Sequence, residues 1–203
     1  MSLLLISTIL IIFLGASLPW PGRSVWFEGN KQKLFKYSFI FSIAITFSFI
    51  IFQSFQQYWV WQGNELSKNL LPPYQSANYF IFYIFTRFFA PYLISLAVAL
   101  AFLFSAKILN KKCEEHFFYA EEIYLGASAI FLTSHPGWLF YAILLLIIYV
   151  LVQLFFAVKY SILNTQCLSS RISLYWLWIP TALFVIILMN WLKTLPWWNL
   201  LKI

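Results

Sequence analysis

Six apolar runs constrain this chain more than anything else in it, at roughly residues 2–18, 36–58, 88–108, 122–134, 138–158 and 174–192. A hydrocarbon layer about 30 Å thick takes about twenty residues of α-helix to cross, and all but the fourth run approach or exceed that length. With 63% apolar and only 9% charged side chains, the chain has too little polar surface to close a water-soluble globule. The expectation is an all-α, polytopic membrane bundle of about six transmembrane helices, one domain over residues 1–203. The fourth run, of about thirteen residues, crosses only if neighbouring helices cover its ends; otherwise it is a re-entrant segment in a five-span protein.

The first run lacks the basic start of a secretory signal and is longer than a usual signal core, so it reads as a helix. Pro19 and Pro21 end it, because neither can continue an α-helical ladder. Pro72 and Pro73 mark a turn in the longest outer connection, residues 64–80. The aromatic stretch "YFIFYIFTRFFAP" that follows reads as a segment lying along the interface, with Pro91 opening the third span. Arg87 within it either snorkels to the headgroups or reaches a buried partner.

A net charge of +7 would point to nucleic acid in a soluble domain, but here the cations sit in short segments between apolar runs. There they set orientation. Nine of the thirteen Lys and Arg fall on the side carrying Arg23, Lys36, Lys107, Lys111 and Arg171, while Lys68, Arg87, Lys193 and Lys202 fall on the other. The positive-inside rule then places the first set in the cytoplasm and both termini outside. Cys113 and Cys167 form no CxxC pair, so neither a disulfide framework nor a metal cluster is expected.

Polarity concentrates in residues 111–138, "KKCEEHFFYAEEIYLGASAIFLTSHPGW", which hold four of the six acidic residues and both histidines. Glu114 and Glu115 read as a solvated charge run. Glu121 and Glu122 stand where an apolar helix begins, and carboxylates are favoured by the partial positive charge of a helix N-terminus. Consecutive residues do not share a helix face, so at most one points squarely inward. His116 and His135 fall on opposite sides of the bilayer in this topology, which removes them as one metal site or one acid/base pair. The sequence has no HExxH, GxSxG, P-loop or dinucleotide motif, and it contains no aspartate. No cofactor is implied. Gly126, Ala127, Ser128 and Ala129 predict close packing of the fourth helix against a neighbour.

In order of features, "FAPYLISLAVALAFLFSAKILNKK", "YAEEIYLGASAIFLTSHPGW" and "RISLYWLWIPTALFVIIL" resemble the third, fourth and last helices of type IV prepilin peptidases. These belong to the GxGD aspartic proteases, and the resemblance covers roughly residues 89–193. It implies a six-helix core with one catalytic Asp in the cytoplasmic loop after the first helix and a second in a GxGD motif opening the fourth. Here the motif position reads Tyr119, Ala120, Glu121, Glu122, and the first loop offers only Glu28. Glutamate keeps the carboxyl chemistry of a shared-proton dyad but lengthens the side chain by a methylene. A misplacement of about 1 Å can cost on the order of 10²-fold in rate. The expectation is therefore a non-catalytic relative, a pseudoenzyme of the type IV pilus class, that binds a hydrophobic, signal-like helix or serves as subunit of a membrane assembly. Two alternatives stand beside it: an active intramembrane peptidase using Glu28 with Glu121 or Glu122, and an unrelated structural subunit of a larger membrane complex. The expected setting is the lipid bilayer of a prokaryotic cytoplasmic membrane, with an organellar membrane as the alternative.

Overall fold

A computed structural model describes residues 3–16, 28–112, 118–163 and 175–194. Its helices are α1 (Leu3–Ala16), α2 (Glu28–Gly63), the single turn α3 (Glu65–Lys68), α4 (Ala77–Ile84), α5 (Ala90–Lys112), α6 (Ala120–Thr133), α7 (Gly137–Leu163) and α8 (Tyr175–Leu192). No strand occurs among the described residues. Three helical stretches are long and apolar enough to cross a membrane, Gln32–Gly63, Ala77–Lys112 and Gly137–Phe155, while α1 and α8 contribute shorter apolar helices.

The short fourth run forms the centre of the bundle. α6 has 14 residues, about 21 Å at the helical rise, too little to span hydrocarbon by itself. It is walled instead by α1, α2, α5, α7 and α8, and every residue from 122 to 134 is buried. Protein, not lipid, therefore solvates its backbone ends. Phe131 anchors the wall, with ring centroids 6.5 Å from Phe39, 6.3 Å from Phe47 and 6.0 Å from Tyr92. α7 lies at the opposite extreme: Tyr141 is buried, whereas Ile143, Leu146, Ile147, Val150, Leu151, Leu154 and Phe155 are exposed. So many large apolar side chains on one helix suit lipid and not water.

Two helical stretches extend well beyond the sequence expectation. α2 begins at Glu28 and ends at Gly63, not at 36 and 58, so Glu28 is a helix residue rather than a loop residue. Glutamate is favoured in a first helical turn, and Lys and Gln propagate a helix well, which accounts for the earlier start. The aromatic segment before Pro91 is continuous with the third span, because α4 runs into α5 through a π-turn at Phe85–Phe89. The Ala90 N–H donates to the Phe85 carbonyl, and the Thr86 hydroxyl donates to Phe82 and Tyr83. Widening the ladder one turn before Pro91 accommodates a ring that would clash in a regular α-helix.

The small residues of α6 pack as expected. A Cβ on Gly126 would lie 2.8 Å from the Phe102 ring and 2.9 Å from the Trp178 ring, whereas one on Gly63 would meet nothing within 4 Å. Gly126→Ala is accordingly expected to cost about 1–3 kcal/mol, the range for overpacking a filled core. Gly63→Ala should leave stability unchanged or slightly raised. Thermal unfolding of both variants in detergent, followed by near-UV circular dichroism, checks the contrast.

Candidate functional site

The candidate site is the end of the bundle at which α5 hands over to α6. Asn110, in the last turn of α5, is buried and clamps the returning chain. Its Nδ2 donates to the Phe118 carbonyl at 2.9 Å, and its Oδ1 accepts from the Phe118 N–H at 2.8 Å. Both backbone groups of Phe118 are thus satisfied before α6 begins, as burial requires. The Phe118 ring then packs among Phe102 and Trp178, at 6.3 and 6.4 Å between centroids.

Glu122 is only 2% exposed. Its Oε2 accepts from the Tyr119 N–H at 3.2 Å, and the Glu122 N–H donates to the Tyr119 carbonyl at 3.0 Å. This is the carboxylate half of a capping box, in which a glutamate at the third helical position reaches back to the N-cap backbone. Its length matters. An aspartate, one methylene shorter, is not the residue that makes this reach. Glu121 next to it is half-buried, so the pair divides as consecutive helical residues must. Lys107, one helix away, holds its ammonium 5.2 Å from the centre of the Tyr124 ring, a cation–π contact at the same end.

Glu28 opens α2 at this end too. Phe39 and Phe47 of α2 both meet Phe131. Counting back along α2 and α6 from those contacts at the helical rise puts the Glu28 backbone about 3–15 Å farther out than that of Glu122. The structure therefore brings the three predicted carboxyl-bearing residues to one end of the bundle. It seats Glu122 as a helix cap within it. The Glu28 side chain lies outside the described residues, as do Cys113, Glu114, Glu115, His116 and Cys167. No group of three His, Cys, Asp or Glu residues that would suit a metal ion occurs among the described residues.

Sequence reasoning missed a second polar cluster, at the opposite end of α6. The Ser7 hydroxyl lies 3.4 Å from the Tyr92 hydroxyl, which also interacts with the Ser134 side chain. The His135 N–H donates to the Pro91 carbonyl at 3.1 Å, and Trp138 Nε1 donates to His135 Nδ1 at 3.3 Å. Ser134 carries φ 55° and ψ 170°, a glycine-like backbone costing about 1–3 kcal/mol that only the surrounding bonds sustain. Isolated serines and a tyrosine inside apolar runs give no spacing signal, so nothing in the sequence marks this cluster. His135 proves to be a turn residue held by its neighbours.

Comparison of the chain with family models, with curated proteins and with solved structures finds no match.

The cap predicts an ordered series of stabilities. Glu122→Gln keeps an acceptor oxygen and should stay close to wild type, whereas Glu122→Ala should lose about 0.5–2 kcal/mol. Asn110→Ala removes both partly buried hydrogen bonds of the clamp and should cost about 1–3 kcal/mol. Denaturation in mixed micelles reads the order, and amide hydrogen exchange at Phe118 and Tyr119 reads the local effect.

Proposed function

We propose that this is a six-crossing integral membrane protein with a prepilin-peptidase-like fold, its termini outside a prokaryotic cytoplasmic membrane, that binds a hydrophobic partner helix without cutting it. The observation that carries the non-catalytic reading is Glu122 itself. At the position where the family motif needs a catalytic aspartate, the chain has a buried carboxylate accepting the Tyr119 N–H at the start of α6. A carboxylate occupied with the helix end is poorly disposed to share a proton with a second carboxyl, the arrangement on which an aspartic dyad depends. The lipid-facing character of α7 and the helical pairs α2 and α4–α5 support a bundle into which an apolar helix docks sideways.

One observation favours a second reading, an active glutamate peptidase: Glu28 begins α2 at the same end as Glu121 and Glu122. A cleavage assay separates the two. Purified protein in detergent is given prepilin-like leader peptides, with Glu28→Gln, Glu121→Gln and Glu122→Gln variants in parallel. The expected result is retention of intact peptide and no cleavage by any folded form. Cleavage by the wild type that is abolished by Glu28→Gln and by one of the other two variants would establish a glutamate dyad and overturn the proposal.

The orientation is tested separately. In intact cells, a membrane-impermeant thiol reagent should modify a cysteine introduced by Glu65→Cys and spare the native Cys113. The opposite labelling pattern would invert the topology.

A further inference from the structure

The described helices end at two different heights. At the Ser134 end of the bundle, His135 meets Pro91, Ser7 meets Tyr92, and a Cβ on Gly137 would lie 3.3 Å from Met189. Counted from these marks, α1 starts and α8 ends within about 6 Å of that level. The α2–α4 pair continues past it. Phe47 meets Phe89 and Phe131 near the level of the bundle's end. Trp61 meets Tyr79, Phe80 and Tyr83, with centroids 6.4, 5.3 and 4.8 Å away. The helical rise between Phe47 and Trp61 is about 20 Å, so a two-helix tip projects well beyond the other described helices.

Charge marks where the hydrocarbon stops. No charged residue lies between Arg87 and Lys107, and that interval rises about 30 Å, the thickness of the apolar layer. On α2 the same rise from Lys36 reaches Gln56. Beyond these boundaries the tip exposes Trp59 at 69% and Phe82 at 68%, along with Val60 and Ile81. Gln57, Gln62, Asn78 and Arg87 are interleaved with them. Rings and aliphatic groups mixed with amides and a guanidinium match the headgroup layer, where Trp and Tyr are favoured and Arg finds phosphate. The π-turn at Phe85–Phe89 stands at this boundary, on the α4–α5 helix alone.

We propose that the α2–α4 tip is a phospholipid-docking element, seated in the headgroup layer of the outer leaflet with Arg87 on a lipid phosphate. The proposal rests on the membrane-spanning reading above. Nitroxide labels test it on the full chain in vesicles of phosphatidylethanolamine and phosphatidylglycerol. Trp59→Cys, Phe82→Cys and Leu146→Cys are each placed in a Cys113→Ser, Cys167→Ser background. Collision rates with oxygen and with a water-soluble nickel chelate give each label's depth. The labels at 59 and 82 are expected at headgroup depth, with that at 146, on the exposed face of α7, deep in hydrocarbon. Adding Arg87→Gln should weaken docking of the tip by about fivefold, the equivalent of one cation at an anionic surface, and so shift the label at 82 toward water. Arg87→Lys should retain most of the depth. Labels at 59 and 82 that are fully open to the chelate would overturn the proposal. So would labels hidden from both reagents, which would mean that protein or a second copy covers the tip. An unchanged depth in Arg87→Gln would remove Arg87 from it. If the label at 146 also reads as aqueous, the membrane reading fails first.

Discussion

Burial of α6 on all sides is the constraint from which the rest of the structure follows. A 14-residue helix with a carboxylate at one end and a strained serine just past the other cannot face lipid, because hydrocarbon offers no partner for free backbone groups. Five neighbouring helices supply that environment. Their contacts then dictate side-chain size: Gly126 admits the Phe102 and Trp178 rings, and Phe131 fills the gap between α2 and α5. Two of the hydroxyls buried in α6 are satisfied locally. Ser128 donates to the Tyr124 carbonyl and Thr133 to that of Ile130, each within its own helix.

How much of this was legible depends on which physical signal each element carries. α1, α6, α7 and α8 fall close to the expected apolar runs, because contrast between apolar run and polar flank is strong there. α2 and α4 extend beyond the expected runs for different reasons. The outer end of α2, "QQYWVWQG", is amide-rich, so hydropathy falls there while helix formation continues, whereas "ANYFIFYI" of α4 stays apolar and aromatic and was set apart only by the proline that follows. What holds them helical is pairing: Tyr58 against Phe80, and Trp61 against Tyr83. That is a tertiary effect with no local period, and a proline at 91 argued against a continuous helix until the π-turn absorbed it.

The candidate site shows the same division. That Glu121 and Glu122 belong to a helix start, and that only one of them turns inward, follows from macrodipole and periodicity alone. Which one turns inward, and what it does there, does not. The Asn110 clamp on Phe118 was invisible, since an asparagine near two lysines reads as loop polarity until the chain is folded back on it. The Ser7, Tyr92 and Ser134 cluster was invisible for a related reason: its members come from three helical segments far apart in sequence and meet only in the assembled bundle.

The length of one side chain ties these threads together. A catalytic pair asks for two short carboxyls facing each other across a proton, on backbone that glycine lets approach closely. A cap asks for one longer carboxyl that turns back on its own helix, on backbone that needs no such freedom. At positions 119–122 this chain has tyrosine, alanine and two glutamates, a set unsuited to the first demand and suited to the second. Glu28 shares the end of the bundle but starts its own helix, where a carboxylate is already stabilised by the helix N-terminus. Both carboxyl-bearing residues therefore have a sufficient structural reason to be where they are. A catalytic role for either has to be argued from chemistry that the helix ends do not already account for.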